Sequence, residues 1–181
     1  GEGGYADGRH PDTVTFGVTL QQDLSRRDFT IGAMAWDTEK NCLIDPFGGQ
    51  RDLQNRLLRA VGDPDRRFAE DGLRILRGLR FAAELGFAVE PETAAALRRN
   101  APRLQSLSPE RVRTELQKLI CGRAAAPVLR EYIEVIGVVL PELLPMVGFA
   151  QNNPHHNRDV WEHTLTVLEN IPAEPVLRWA A

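Results

Sequence analysis

Between positions 62 and 87 the chain reads GDPDRRFAEDGLRILRGLRFAAELGF, with an acid at Asp71 and arginines following at Arg74, Arg77 and Arg80. A guanidinium holds its donors in a planar fork that suits two-point contact with phosphates and base edges. Read at about 100° per residue, Phe68, Gly72, Ile75, Leu76, Leu79, Ala82 and Ala83 fall on one side of a single helix. Arg67, Glu70, Arg74 and Arg77 fall on the other, with Asp71 and Arg80 at its flanks. Asp63 is placed to cap this helix, and Pro64 suits its first turn because the missing N–H has no partner there. The same pattern fits a solvated face laced with i,i+4 ion pairs. A second charged cluster upstream, Arg26-Arg27-Asp28, favours the chemical reading.

The composition narrows the choices. A chain of 181 residues with 43% apolar content is long enough for one domain or two small ones with a buried core. The net charge of −3 argues against a generally basic nucleic-acid coat. Lys40 and Lys118 are the only lysines, so nearly all positive charge is arginine, a bias that a GC-rich genome would also give. Cys42 and Cys121 form neither a disulfide framework nor a metal-binding spacing. With no signal peptide and no apolar run near 18 residues, a cytoplasmic protein without membrane association is expected. The chain opens on Gly1, has no Met before Met34 and stops inside the apolar run 176–181, as expected of an interior piece of a longer protein.

Several elements are needed to position these side chains. Residues 13–18 read as a strand. Asp23 is expected to cap a helix over 24–36, in which Asp28 and Gly32 share a face. Residues 43–53 carry turn signals at Asp45-Pro46 and Gly48-Gly49 and read as a tight connection without a strand pair. Beyond the central helix come helices over 92–99, from Ser108-Pro109 to 120, and over 126–139. A turn lies between Pro141 and Pro145, a polar loop at 152–156, and a last helix over 160–170. The predicted fold is mainly α with a remnant of sheet at the front.

The run RRDFTIGAMA resembles the second motif of class II CCA-adding enzymes and bacterial poly(A) polymerases, and EDGLRILRGLRF resembles their nucleotide-selecting motif. The likeness continues through LIDPFGGQRDLQNRLLRAVGDPDRRF, the helix from Ser108 and NNPHHNRDVWEHTL, which together cover essentially the whole chain. It implies a helical neck and body, a remnant of an α/β nucleotidyltransferase palm at the N-terminus and the start of an all-helical HD domain at the C-terminus. The corresponding divisions are 1–37 for the end of the palm, 38–61 for a connector, 62–125 for the nucleotide-selecting and RNA-binding neck and body, and 126–181 for a helical segment that opens the HD-like domain. The implied activity is transfer of CMP and AMP from CTP and ATP to the tRNA 3′ end. A poly(A) polymerase of the same family is the runner-up. Readings of another class are an HD phosphohydrolase and a non-catalytic RNA-binding module using Arg98, Arg99 and Arg103.

Residue by residue, the resemblance implies that Arg27 and Asp28 meet the triphosphate and ribose of the incoming nucleotide. Asp71 and Arg74 would read the base, with Arg77 and Arg80 at the nucleotide or its phosphates. Arg26, Glu70, Arg111 and Glu115 would support them, with Lys118 one turn further on. Cytosine and adenine place an amino donor beside a ring-nitrogen acceptor, whereas uracil and guanine place a carbonyl beside an N–H. A carboxylate paired with a guanidinium therefore selects C and A. Three departures stand out. Gly32 replaces the asparagine usual in RRDFTINAMA, Gly72 replaces proline or another residue, and the Asp-x-Asp pair that binds the catalytic Mg2+ would lie upstream of Gly1. Asp63-Pro64-Asp65 has that spacing but reads as a cap, so the piece alone is expected to be inactive. In the tail, His156, Asp159 and His163 resemble the opening of an HD domain, with His163 as the one matching metal ligand. A divalent metal would then belong to the complete HD domain.

Overall fold

The computed structural model describes residues 19–149 and 159–181. The expected strand at 13–18, and the loop at 152–156 with His156, lie outside the described residues. The chain is mainly helical.

The front of the chain departs from the expected 24–36 helix. Helix α1 (Leu20–Ser25) begins earlier, at Thr19, where the Thr19 hydroxyl accepts from the Gln22 amide at 3.2 Å and the Gln22 side chain accepts from the Thr19 amide at 3.0 Å. This reciprocal box satisfies the Thr19 and Gln22 amides and leaves Asp23 inside the first turn, where it is not the cap. The helix stops at Ser25, so Asp28 and Gly32 do not share a helical face. Phe29 is extended, is only 3% exposed and bridges to Ala60. Burying that ring outweighs the local helical pattern. A 3-10 turn (Thr30–Gly32) and strand β1 (Ala35–Asp37) follow.

Residues 43–53 are also more structured than a tight connection. Strand β2 (Cys42–Ile44) pairs antiparallel with β1, with Trp36 opposite Leu43. Helix α2 (Gly49–Gln54) then starts where Asp45 accepts from the amides of Gly49 at 2.7 Å and Gln50 at 2.9 Å. Gly49 is required by proximity, because a Cβ there would fall 2.1 Å from the Thr30 carbonyl oxygen.

The central helix is two helices. Helix α3 (Pro64–Glu70) is capped by Asp63, as the sequence indicates, with its carboxylate accepting from Asp65 N at 2.9 Å. The backbone then extends at Asp71 (φ −150°, ψ 108°), and the Asp71 carboxylate accepts from Leu73 N at 3.0 Å to start helix α4 (Leu73–Leu85). The apolar period runs through this break and so conceals it. Gly72 lies against Arg103, where a Cβ would come within 3.3 Å.

The apolar face itself is as the period indicates: Phe68, Ile75, Leu76, Leu79, Ala82 and Ala83 are buried. Around α4 pack α5 (Pro91–Asn100), α6 (Pro109–Ile120) and α7 (Ala125–Glu131). Strands β3 (Leu57–Leu58) and β4 (Ala88–Val89) pair in parallel on either side of the α3–α4 unit in sequence. The expected 126–139 helix is interrupted at buried Tyr132 (φ −119°), so a short α8 (Ile133–Ile136) follows α7. After the 3-10 segment Pro141–Met146 come α9 (Val160–Asn170), matching its expected bounds, and α10 (Pro175–Ala180), which was not foreseen. No described helix is long and apolar enough to cross a membrane.

Candidate functional site

Arg26, Arg27 and Asp28 leave the end of α1 with no regular element of their own, so other parts of the chain hold them in place. Arg67 donates to the Ser25 carbonyl at 2.8 Å, and Arg74 donates to the Arg26 carbonyl at 3.1 Å. The Asp28 carbonyl accepts from Val61 N at 3.1 Å, and Thr30 N donates to Arg59 O at 2.9 Å. Below this segment the Phe29 ring meets Phe81 edge-on, with centroids 5.9 Å apart, and presses on Gly78 of α4. These contacts leave a cleft of about 330 Å³ lined by Arg26, Arg27, Asp28, Gly32, Arg77 and Phe81, with Phe29 and Ile31 at its apolar side.

Asp28 is the meeting point of the cluster. Its Oδ1 lies 2.8 Å from Arg74 Nε, and its Oδ2 lies 2.6 Å from Arg77 Nε. Both contacts are ion pairs without hydrogen-bond alignment, and Asp28 Oδ2 and Arg77 Nε are buried against each other. Glu70 Oε2 stands 2.8 Å from both Arg67 Nη1 and Arg74 Nη1. The Arg74 hydrogen bond first, then the charges of Arg67, Arg74 and Arg66, outweigh desolvation and hold the Glu70 carboxyl below its usual value. At the mouth, Arg27 pairs with Asp23 at 2.9 Å and Arg26 lies 3.7 Å from the same acid. Both side chains are more than half exposed and free to turn to an anion. Three guanidiniums against one carboxylate make the lining net cationic, which suits a phosphate-bearing ligand.

Not all the expected residues converge here. Asp71 and Arg74 point to different partners: Asp71 lies 3.2 Å from Arg111 of α6, while Arg74 is engaged by Asp28, Glu70 and the carbonyls of Arg26 and Arg67. Arg80 lies over the Phe81 ring at 4.1 Å and 2.9 Å from Glu115 and does not itself line the cleft. Lys118 lines a separate groove on α6 with Arg113 and Thr114. The alternative of a solvated ion-pair row does not hold along its whole length: Arg67 is 8% exposed and Arg74 is largely covered. His163 sits on α9, one turn after the Asp159 cap, and no group of three or more metal-ligating side chains occurs among the described residues.

Sequence reasoning missed Phe81 and Asp52, and it placed Arg67 on the charged face without foreseeing its burial. Phe81 was within reach, since it stands one turn after Arg77 on the same stripe. Asp52 is 1% exposed, accepts from Thr30 Oγ1 at 2.7 Å and pairs with Arg59 at 3.1 Å, fastening the 3-10 turn of the cleft to α2. No local pattern marks either buried charge.

Two family descriptions match this chain: "Poly A polymerase head domain" over residues 1–59, and "Probable RNA and SrmB-binding site of polymerase A" over residues 86–146. The CCA-adding enzyme of Geobacillus stearothermophilus is 48% identical over 128 residues, covering 71% of this chain and 31% of that protein. A solved structure of the Bacillus stearothermophilus CCA-adding enzyme in complex with CTP is 48% identical, with a TM-score of 0.59 over 61% of this chain and 28% of that one. A tRNA nucleotidyltransferase solved with a primer tRNA and an incoming ATP analog is 32% identical, with a TM-score of 0.62 over 82% of this chain and 41% of that one. The chain spans about a third of the length of the curated relatives it matches.

Proposed function

Because the chain belongs to the family of CCA-adding enzymes and bacterial poly(A) polymerases, we propose that it is the nucleotide-selecting part of a tRNA nucleotidyltransferase that adds CMP and AMP from CTP and ATP to a tRNA 3′ end. The observation that carries this reading is Asp28 facing Arg74 and Arg77 beside a cationic cleft whose mouth is formed by Arg26 and Arg27. In the reaction the terminal tRNA hydroxyl attacks the α-phosphorus, the bond to the β-phosphate oxygen breaks, and pyrophosphate leaves.

Arg27, with Arg26 beside it, holds the triphosphate, and Asp28, which lines the cleft, accepts from a ribose hydroxyl. Asp71 accepts from the base amino group while Arg74 donates to the ring nitrogen. For that, Arg74 exchanges one of its present acceptors and Asp71 leaves Arg111, so nucleotide binding is coupled to a rearrangement of both pairs. Arg77 adds a phosphate contact, and Arg80 braces α4 through Glu115. Glu70 orients Arg67 and Arg74, and Arg111 holds Asp71 until the base arrives.

The family's Mg2+ chemistry needs clustered carboxylates, and the described residues offer no such group. The role proposed for this chain is therefore selection and orientation of the nucleotide, and none of the metal chemistry is assigned to its residues. In the same reading, 1–37 close the palm, 38–61 connect, and 62–125 form the neck that selects the nucleotide and holds RNA. Residues 126–181 lead into an HD-like domain, with Asp159 starting α9 and His163 as its first metal position. Calorimetric titration of the chain with CTP, ATP, UTP and GTP tests the proposal. Preference for CTP and ATP is expected, and equal or undetectable binding of all four would overturn it.

A further inference from the structure

Arg67 lies outside the cleft lining, and its side chain is only 9% exposed. It nevertheless reaches three points on three different segments. Its Nε donates to the Val61 carbonyl at 3.2 Å, its Nη2 to the Ser25 carbonyl at 2.8 Å, and its Nη1 to Glu70 at 2.8 Å. Its own carbonyl accepts from Arg74 Nη1 at 3.1 Å, and the other Arg74 nitrogen takes the Arg26 carbonyl. Two guanidiniums thus hold two successive carbonyls, Ser25 and Arg26, where α1 ends.

The last carbonyls of a helix have no intrahelical partner, and here they are met by guanidinium N–H groups instead of water. The residues that follow are Arg26, Arg27 and Asp28, which have no ladder or helix to orient them. We propose that Arg67 is a positioning residue: by fixing the Ser25 and Val61 carbonyls from one buried fork, it sets the direction in which Arg27 and Asp28 enter the cleft. Val61 N in turn binds Asp28 O, so the fork grips both sides of that backbone pair. A lysine has one compact head and cannot serve three acceptors spread around a plane. The inference rests on the proposed binding of nucleotide in this cleft.

The test combines CTP titration with amide exchange in the 181-residue chain. In Arg67→Met and Arg67→Lys, CTP affinity should fall by roughly ten- to a hundred-fold, the loss expected from one hydrogen bond to a charged group. Exchange at the Arg27 and Val61 amides should quicken while the α5 and α6 amides keep their protection. Millimolar guanidinium ion should restore part of the CTP affinity of Arg67→Met, and it should not do so for Arg27→Ala. If the unsubstituted chain binds no CTP, the functional proposal fails, and the exchange experiment still decides the role of Arg67. Unchanged protection at Arg27 and Val61 in both variants overturns the inference. So does loss of protection throughout both, which would make Arg67 a residue of the fold as a whole.

Discussion

Arg74 Nε stands 2.8 Å from Asp28 Oδ1, so the guanidinium expected at the base and the carboxylate expected at the sugar are held together before any nucleotide arrives. The pair joins the first residues of α4 to the irregular segment after α1.

Replacing Asp28 with asparagine should therefore be felt in stability as well as binding. The Asp28 side chain is 16% exposed and faces two guanidiniums, so its loss should lower stability by about 1.5–3 kcal/mol. A solvated ion-pair face would give no more than about 1 kcal/mol. Urea unfolding of the chain distinguishes the two outcomes.

Base choice should depend on Asp71 and leave Arg27 out of account. Asp71→Ala should weaken CTP and ATP binding far more than UTP binding, because the group that penalises a carbonyl at the amino position is gone. Arg27→Ala should weaken all four nucleotides alike, since a phosphate contact carries no base information. Titrations of both variants with four nucleotides check this, and an unchanged CTP to UTP ratio in Asp71→Ala would remove that residue from base reading.

Stability should decline in acid through carboxylates that arginines hold in the charged form. The hydrogen bond from Arg74 keeps Glu70 below the usual value of 4.5, and that from Arg99 keeps Asp65 below 3.8. A lowered folded-state pKa gives stability that is present in full above the unfolded value and lost as pH falls through the folded one. The loss should begin below about pH 4.5, and Glu70→Gln should flatten the upper part of it. Thermal melting between pH 3 and 7 is the measurement, with those limits set by the usual carboxylate range.

The buried Asp52 should be costlier to remove than any rim charge. Asp52→Ala leaves Thr30 without its acceptor and Arg59 with Glu90 alone, and such a loss costs about 1.5–3 kcal/mol. Thr30→Val should cost about 1–3 kcal/mol. A double-mutant cycle by urea unfolding should show strong coupling between the two, and additive effects would mean that the contact contributes little.

The parts of this architecture that were legible in the sequence are those set by local rules. Asp63-Pro64 marked the start of α3, Ser108-Pro109 that of α6, and the apolar period named the buried side of α4 correctly. The break at Asp71 stayed hidden because Phe68 and Ile75 keep helical phase across it, while the extended backbone at Asp71 and its cap on Leu73 N show it in the structure. The 24–36 segment misled because its pattern is helical while Phe29 is buried through a distant partner, Ala60. Arginines 67, 74 and 77 looked alike along the stripe. Burial, which depends on what packs opposite, gave each a different task.

The parallel pair of β3 and β4 has two residues on each strand, and the whole α3–α4 unit lies between them in the chain. So short a ladder cannot meet the entropy of closing that loop by itself, and its formation has to wait for the helices to dock. Ala60, the partner of Phe29, follows β3 by two residues, so closure of the cleft is expected to be a late step in folding. Pulse-labelled exchange should show the amides of α4 protected before those of Ala88 and Glu90, with Thr30 and Val61 last. A newly made chain would then acquire its helices some time before it acquires a place for a nucleotide.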